Sequence, residues 1–430
     1  MKVIELKNID EQQLKKLLKR PSKDFANVAS SVKKIVADVK LNGLQAALKY
    51  SKKYDAFKSK NVFVTKEEFA DAEKIIPSEA KVALKKAYLN IHKFHKMQLP
   101  KSYKIEIEKG ILCSRKYKSI ESVGLYIPGG NAVLPSTVLM LGIPAKIAGC
   151  KRVVISTPVK EKDVNPYLLY AAKLCGISEV IKIGGAQGIA LMAYGDKNFQ
   201  KVNKIFGPGN QFVTYAKMLI SQDPDAAQID MPAGPSEMLL IADDSANPKF
   251  VASDLLSQAE HGVDSQVILI TVSKKLAEEV KEEVKIQLKV LPRKEYAEKS
   301  LKNSLIIILN SLNDAVKISN FYAPEHLIIN VKKPKKIVEK ILNAGSVFLG
   351  QYSPESAGDY ASGTNHSLPT NGLAKTTGGV SVEMFMKAMT FQTLTKKGLN
   401  NLADVIIRLA EIEGLTAHAN AVKVRIENEC

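Results

Sequence analysis

Cysteine, arginine and histidine are scarce in this chain of 430 residues, and each shortage excludes something. The four cysteines, Cys113, Cys150, Cys175 and Cys430, form no C-x-x-C pair, so neither a disulfide framework nor a cysteine-rich metal site is expected. A reducing, cytoplasmic setting follows. No run approaches the roughly 20 apolar residues of a membrane span. The opening MKVIELKNIDEQQLKKLLKR lacks the apolar core of a secretory signal. Neither export nor membrane insertion is expected.

The net charge of +18 invites a nucleic-acid reading, which the shortage of arginine weakens. Only six arginines are present, and arginine is the residue that forks onto phosphates and guanine edges. Residues 1–60 carry 15 basic against 6 acidic residues, so half the excess sits in the first seventh of the chain. A solvated lysine surface, with no nucleic-acid partner, is the expectation. A lysine-rich nucleic-acid binder remains the alternative from another functional class.

Periodicity supplies the architecture. Up to about Lys118 apolar residues recur three and four apart, a helical spacing. VGLYI, RVVIS, EVIKIG and VNKIFG then alternate with helical windows, and after DMPAGPSE a second series follows: EMLLIAD, SQVILIT, SLIIIL, HLIINV and SVFLG. Such alternation predicts α/β architecture with parallel sheets covered on both faces. The expected organisation is two Rossmann-like doubly wound domains with a helical N-terminal segment and a helical C-terminal tail. The boundaries read as a helical arm over 1–25, one α/β domain from 26–125 and 236–381, a second over 126–235, and a tail over 382–430. The tail is too short to bury a core alone and must pack on another domain or subunit.

Gly-rich turns follow three predicted strands, in YIPGGN, IGGAQG and FGPGNQ. None is the G-x-G-x-x-G fingerprint, so each is either a phosphate cradle or an ordinary strand-to-helix turn. In open α/β sheets ligands sit at the carboxyl ends of strands, where Tyr126, Gln187 and Asn210 fall. Histidine is equally telling. His92 and His95, in a lysine-rich helix, are expected to be solvated. In SDLLSQAEHG, Asp254, Gln258 and His261 share one helical face, which suits either a metal or a polar surface stripe. Glu325-His326 joins a carboxylate to an imidazole ahead of an apolar strand, as a proton-transfer pair or a helix-terminal charge pair. Downstream, GQYSPESAGDYASGTNHSLPT reads as a long polar loop holding Glu355, Asp359 and His366, and EIEGLTAHANAVKVR places Glu411, Glu413 and His418 in the helical tail.

IDMPAGPSE, LLSQAEHGVDSQV, YAPEHL, SAGDYASGTNHSLPT and EGLTAHANAV, in this order, resemble the histidinol dehydrogenase family, with a match from about Tyr126 to His418. The resemblance implies oxidation of L-histidinol through L-histidinaldehyde to L-histidine with two NAD⁺, the last two steps of histidine biosynthesis. It implies one Zn²⁺ per subunit held by Gln258, His261, Asp359 and His418, in preference to Asp254 and Glu260. His326 would be the base for the alcohol proton and Glu325 the activator of water. Ser236, Gln258, His261, His326, Asp359, Glu413 and His418 would contact substrate, and Tyr126, Gln187 and Asn210 would contact NAD. His366 falls in a family motif without a role. Exchange of the tail across a homodimer, giving shared active sites, is also implied. The alternatives within the same chemistry are a zinc dehydrogenase of another amino alcohol and a thiohemiacetal route through Cys113 or Cys150.

Overall fold

The computed structural model describes residues 1–7, 10–21, 25–59, 61–129, 134–159, 163–232 and 234–427. Two parallel sheets dominate. The larger has six strands in the order Lys2–Glu5, Leu305–Ile308, Gln266–Thr271, Glu237–Ala242, His326–Asn330 and Ser346–Leu349. The smaller has five, in the order Glu179–Ile181, Arg152–Ser156, Ser122–Tyr126, Lys204–Phe206 and Gln228–Ile229.

Their strands read as unbroken apolar runs because both faces are buried, and alternate residues feed different cores. Met238, Leu240 and Ala242 join one core with the helix Pro248–Ala259, while Leu239 and Ile241 join another with the helix Leu312–Tyr322. In the smaller sheet Val123 and Leu125 face the helix Pro135–Ala148, whereas Tyr126, Val154 and Ile205 face the helix Gly185–Tyr194. This is the doubly wound α/β arrangement expected from the sequence.

Where segments attach differs from the expected boundaries. Residues 2–5 form an edge strand of the six-stranded sheet, ahead of the helix Glu11–Leu17. The helix Ala26–Tyr54 packs Val28, Val32, Val39 and Tyr50 against Ile181, Ile189 and Val213 of the five-stranded unit. Ala72, Ala87 and Ile91 of the next two helices, Lys66–Ile75 and Ser78–Lys96, also join that unit's core. Residues 26–96 and the strand 122–126 therefore build the smaller unit, not the larger one to which 26–125 was assigned. Amphipathic helices announce that they have an apolar face but not which sheet it meets.

Between them, Tyr103–Glu108 and Ile111–Ser119 are strands where helix was expected. With Met386–Leu394 they form a three-stranded antiparallel sheet. YKIEIE alternates with period two, a strand signature embedded in helical surroundings. The tail accordingly turns helical only at Lys396, through Lys396–Ile412 and Thr416–Glu427. No helix among the described residues is long and apolar enough to cross a membrane.

Candidate active site

Both sheets reverse their strand order beside one cleft, but they present opposite ends to it. The smaller sheet offers carboxyl ends: Pro128 follows Ser122–Tyr126, and Pro208, Gly209 and Asn210 follow Lys204–Phe206. The larger sheet offers amino ends, with Ser236 just before Glu237–Ala242, Glu325 just before His326–Asn330, and His326 itself. The carboxyl-end rule therefore holds for one sheet only. The cleft encloses about 520 Å³ and is also lined by Gln258, His261, Asp359 and His366.

Local sequence explains how each group arrives there. The helix Leu312–Tyr322 ends at Ala323, whose φ of 52° is unusual for a residue with a side chain. Arg20 donates to the Tyr322 carbonyl (2.6 Å) at that helix end, where a cation is favoured. Pro324 then leads into Glu325 and the strand. The Glu325 carboxylate accepts the Glu237 backbone N–H at 2.9 Å. Behind it, Glu237 is buried and paired with Arg20, and accepts from Tyr322 Oη (3.0 Å).

His326 is buried, and among the described residues neither ring nitrogen has a hydrogen-bond partner. Three carboxylates surround it: Asp359 lies 3.5 Å from Nε2, and Glu355 (3.6 Å) and Glu325 (3.7 Å) lie near Nδ1. Burial opposes charge on the ring, but Glu355, Glu325 and Asp359 prevail and hold its pKa well above the usual histidine value. Burial and the adjacent carboxylates push Glu355 upward.

The helix Pro248–Ala259 returns to the amino edge of its sheet and brings Gln258 with it, and His261 follows just past its end. Gln258 is wholly buried, its side-chain amide lying between the Glu237 backbone N–H and the Glu355 carboxylate. His261 Nε2 lies 4.0 Å from Asp359 Oδ2. Donor atoms of His261, Glu355 and Asp359 all fall within 4.8 Å of one another, a cluster of one imidazole and two carboxylates that suits a divalent cation.

Glu355, placed by the sequence in the polar loop without a role, belongs to the site. The supposed loop contains a short helix, Glu355–Tyr360, that puts Glu355 and Asp359 four apart on one face. Pro354, just before it, occupies a helix-start position that can equally be read as a loop breaker. His95 corrects a second expectation: it is wholly buried, its Nδ1 bonded to Ile91 O (2.9 Å) and its Nε2 near Asn365 Nδ2 (3.2 Å). His366 bridges the two units, with Nε2 against Thr137 Oγ1 (3.1 Å) and Nδ1 against the Asp359 carbonyl (2.9 Å).

Tyr126 and Asn210 line an adjoining hollow of about 490 Å³, and Gln187 is buried beside it. Glu413 and His418 are exposed on the tail and do not line the cleft of their own chain. Cys150 also lies outside the cleft, its thiol pushed up to about 12 by burial, which leaves it a poor nucleophile.

Asp254, one turn before Gln258, is buried, and desolvation pushes its carboxyl from 3.8 to about 7. The fold therefore favours the protonated form, and stability is lost as pH rises from the unfolded value through the folded one. In metal-free protein, Asp254→Asn is expected to match the wild type near pH 4. Above pH 7 it should exceed it by up to about 4 kcal/mol, at roughly 1.36 kcal/mol per pH unit. A melting-temperature difference that stays flat from pH 4 to 8 would contradict this.

The comparisons with known proteins converge. The sequence profile of the histidinol dehydrogenase family matches residues 18–426. The chain belongs to the histidinol dehydrogenase family. It is 50% identical to the histidinol dehydrogenase of Vibrio parahaemolyticus over 428 residues, covering 99% of each chain. It is 50% identical over 429 residues to that of Campylobacter jejuni, covering 100% of each. The crystal structure of histidinol dehydrogenase from Elizabethkingia anophelis superposes with a TM-score of 0.94 at 45% identity, covering 99% of this chain and 98% of that one. Membership of the histidinol dehydrogenase family carries the oxidation of histidinol in histidine biosynthesis.

Proposed function

We propose that this chain oxidises L-histidinol to L-histidine through L-histidinaldehyde, reducing two NAD⁺, as a zinc-bearing cytoplasmic homodimer. The observation that carries this reading is the meeting of Glu325 and His326 with Gln258, His261 and Asp359 in one cleft that continues past Asn210 into the hollow beside Tyr126.

Gln258, His261 and Asp359 would hold the zinc, with His418 of a second copy, and the buried Glu355 carboxylate lies within the same donor cluster. Bound there, the ion supplies positive charge that anchors substrate nitrogens and offsets the carboxylates around His326. His326 takes the alcohol proton as hydride leaves the substrate carbon for the first NAD⁺. Glu325, fixed by the Glu237 N–H, draws a proton from water as it adds to the aldehyde. The hydrate anion then loses hydride to the second NAD⁺, and the carboxylic acid so formed releases its proton to solvent, leaving the carboxylate. Ser236 lines the substrate end, and Tyr126, Gln187 and Asn210 serve NAD.

Two results test this reading. Histidinol and NAD⁺ should yield two NADH per substrate, with activity abolished by a chelator and restored by Zn²⁺; a yield of one would contradict it. Shared sites are supported by the tail, which keeps Leu409 (55%) and Ile412 (73%) exposed along with Glu413 and His418. Such apolar surface on terminal helices suits burial against a second copy. Mixing inactive His418→Ala and His261→Ala chains should restore activity through hybrid dimers, and no recovery despite demonstrated subunit exchange would argue against sharing.

A further inference from the structure

Among the described residues that line it, the hollow beside Tyr126 has one charged group. Asp55 closes the helix Ala26–Tyr54 and lines the hollow with Tyr54, Tyr126, Pro128 and Asn210. Its Oδ2 accepts from Gln187 Nε2 (2.9 Å), which leaves Oδ1 to accept from a ligand hydroxyl. Gln187 Nε2 also reaches Ser51 Oγ (3.4 Å), and Tyr126 Oη accepts the Gly185 N–H (3.0 Å), so the wall around Asp55 is held from several sides. Among the described residues that line the hollow there is no lysine or arginine, in a chain with 62 of them.

Pro128 and Asn210 line both this hollow and the cleft that holds His326, so a single elongated ligand can occupy both. If NAD⁺ is the oxidant, as proposed above, its reacting ring lies at His326 and its adenosine end falls beside Asp55. We propose that Asp55 sets the cofactor preference, accepting a hydrogen bond from an adenosine ribose hydroxyl of NAD⁺ and repelling the 2′-phosphate of NADP⁺. A ribose hydroxyl donates to a carboxylate, whereas a phosphate brings about −1.5 to −2 charge and no donor. Beside the Asp55 carboxylate that charge meets repulsion, and discrimination of this kind rests on the cost of the wrong ligand's charge. Burial raises the Asp55 carboxyl to about 6, with the Gln187 hydrogen bond pulling the other way, so it remains ionised at pH 8.

The test compares kcat/KM for NAD⁺ and NADP⁺ at pH 8 with histidinol, in the wild type, Asp55→Asn and Asp55→Ala. Separate titrations of each intact protein with NADH and NADPH report binding without turnover. Asp55→Asn keeps an acceptor for Gln187, so folding is not at stake. The wild type should favour NAD⁺ by at least about 100-fold, and both variants should shrink that ratio by at least about 10-fold, chiefly through KM. A wild type without preference, or a ratio unmoved within about twofold in both variants, overturns the assignment. Should the wild type show no histidinol-dependent NADH formation while the NADH and NADPH titrations still respond to Asp55, the proposed reaction fails and the assignment to Asp55 stands.

Discussion

Glu325→Gln is expected to stop the reaction half-way: histidinol is still taken to the aldehyde, but oxidation of the aldehyde falls by about 10² to 10⁴, the usual contribution of a positioned acid or base. The substitution keeps the oxygen that accepts the Glu237 N–H, so the fold around the strand His326–Asn330 is preserved while the basic lone pair is lost. His326→Asn should do the converse, lowering alcohol oxidation by a comparable factor of about 10² to 10⁴ while oxidation of supplied histidinaldehyde persists. Rapid-quench or stopped-flow measurement of NADH from each starting substrate separates the two. Equal loss of both half-reactions in both variants would contradict the division of labour. The geometry favours separate tasks because Glu325 is tethered to the neighbouring strand, whereas His326 has no hydrogen bond among the described residues to direct either nitrogen elsewhere.

The largest effect on stability is expected from Lys217→Met. Lys217 is buried in the helix Gln211–Ile220, paired with the buried Asp230 carboxylate, and donates to the Gly207 carbonyl at 2.8 Å. Asp230 in turn accepts the N–H groups of Gly207 (2.8 Å) and Met231 (2.6 Å). Together they clamp Gly207, whose φ of 117° favours glycine and where a Cβ would run into the Tyr126 carbonyl. Removing the lysine strands a carboxylate without its countercharge, which costs about 3 to 5 kcal/mol. Replacing both partners, Lys217→Met with Asp230→Asn, should recover at least about half of that, since no charge is left buried and the amide oxygen still accepts one of the two backbone N–H groups. Denaturant unfolding of the two variants decides the matter. If the single and double variants are equally destabilised, the pair is not what holds the turn. Because Pro208, Gly209 and Asn210 follow directly, the single variant should also bind NADH more weakly.

The grouping of several candidate site residues was legible because they are close in sequence. Gln258 and His261 are three apart at one helix end, and Glu325 and His326 are adjacent. Local spacing of that kind fixes which side chains can act together, whatever the rest of the fold does. The parallel sheets were legible for a similar reason: runs such as EMLLIAD and SQVILIT are apolar throughout, as strands covered on both faces must be.

What depends on distant pairings was not legible. Glu355 gains its place only when the helix Glu355–Tyr360 is laid against Gln258, almost a hundred residues earlier. His95, in a lysine-rich helix, looked solvated until its contacts with Asn365 buried it. Asp55 is an unremarkable residue after a long helix until Gln187, far along the chain, turns it into the wall of a hollow. The sequence by itself determined the strands of the two parallel sheets and which neighbouring polar side chains lie together, because periodicity and spacing act within a few residues. The tertiary structure alone decided which sheet each helix covers, and that the carboxyl edge of one sheet faces the amino edge of the other across the cleft, because those outcomes are set by packing between segments hundreds of residues apart.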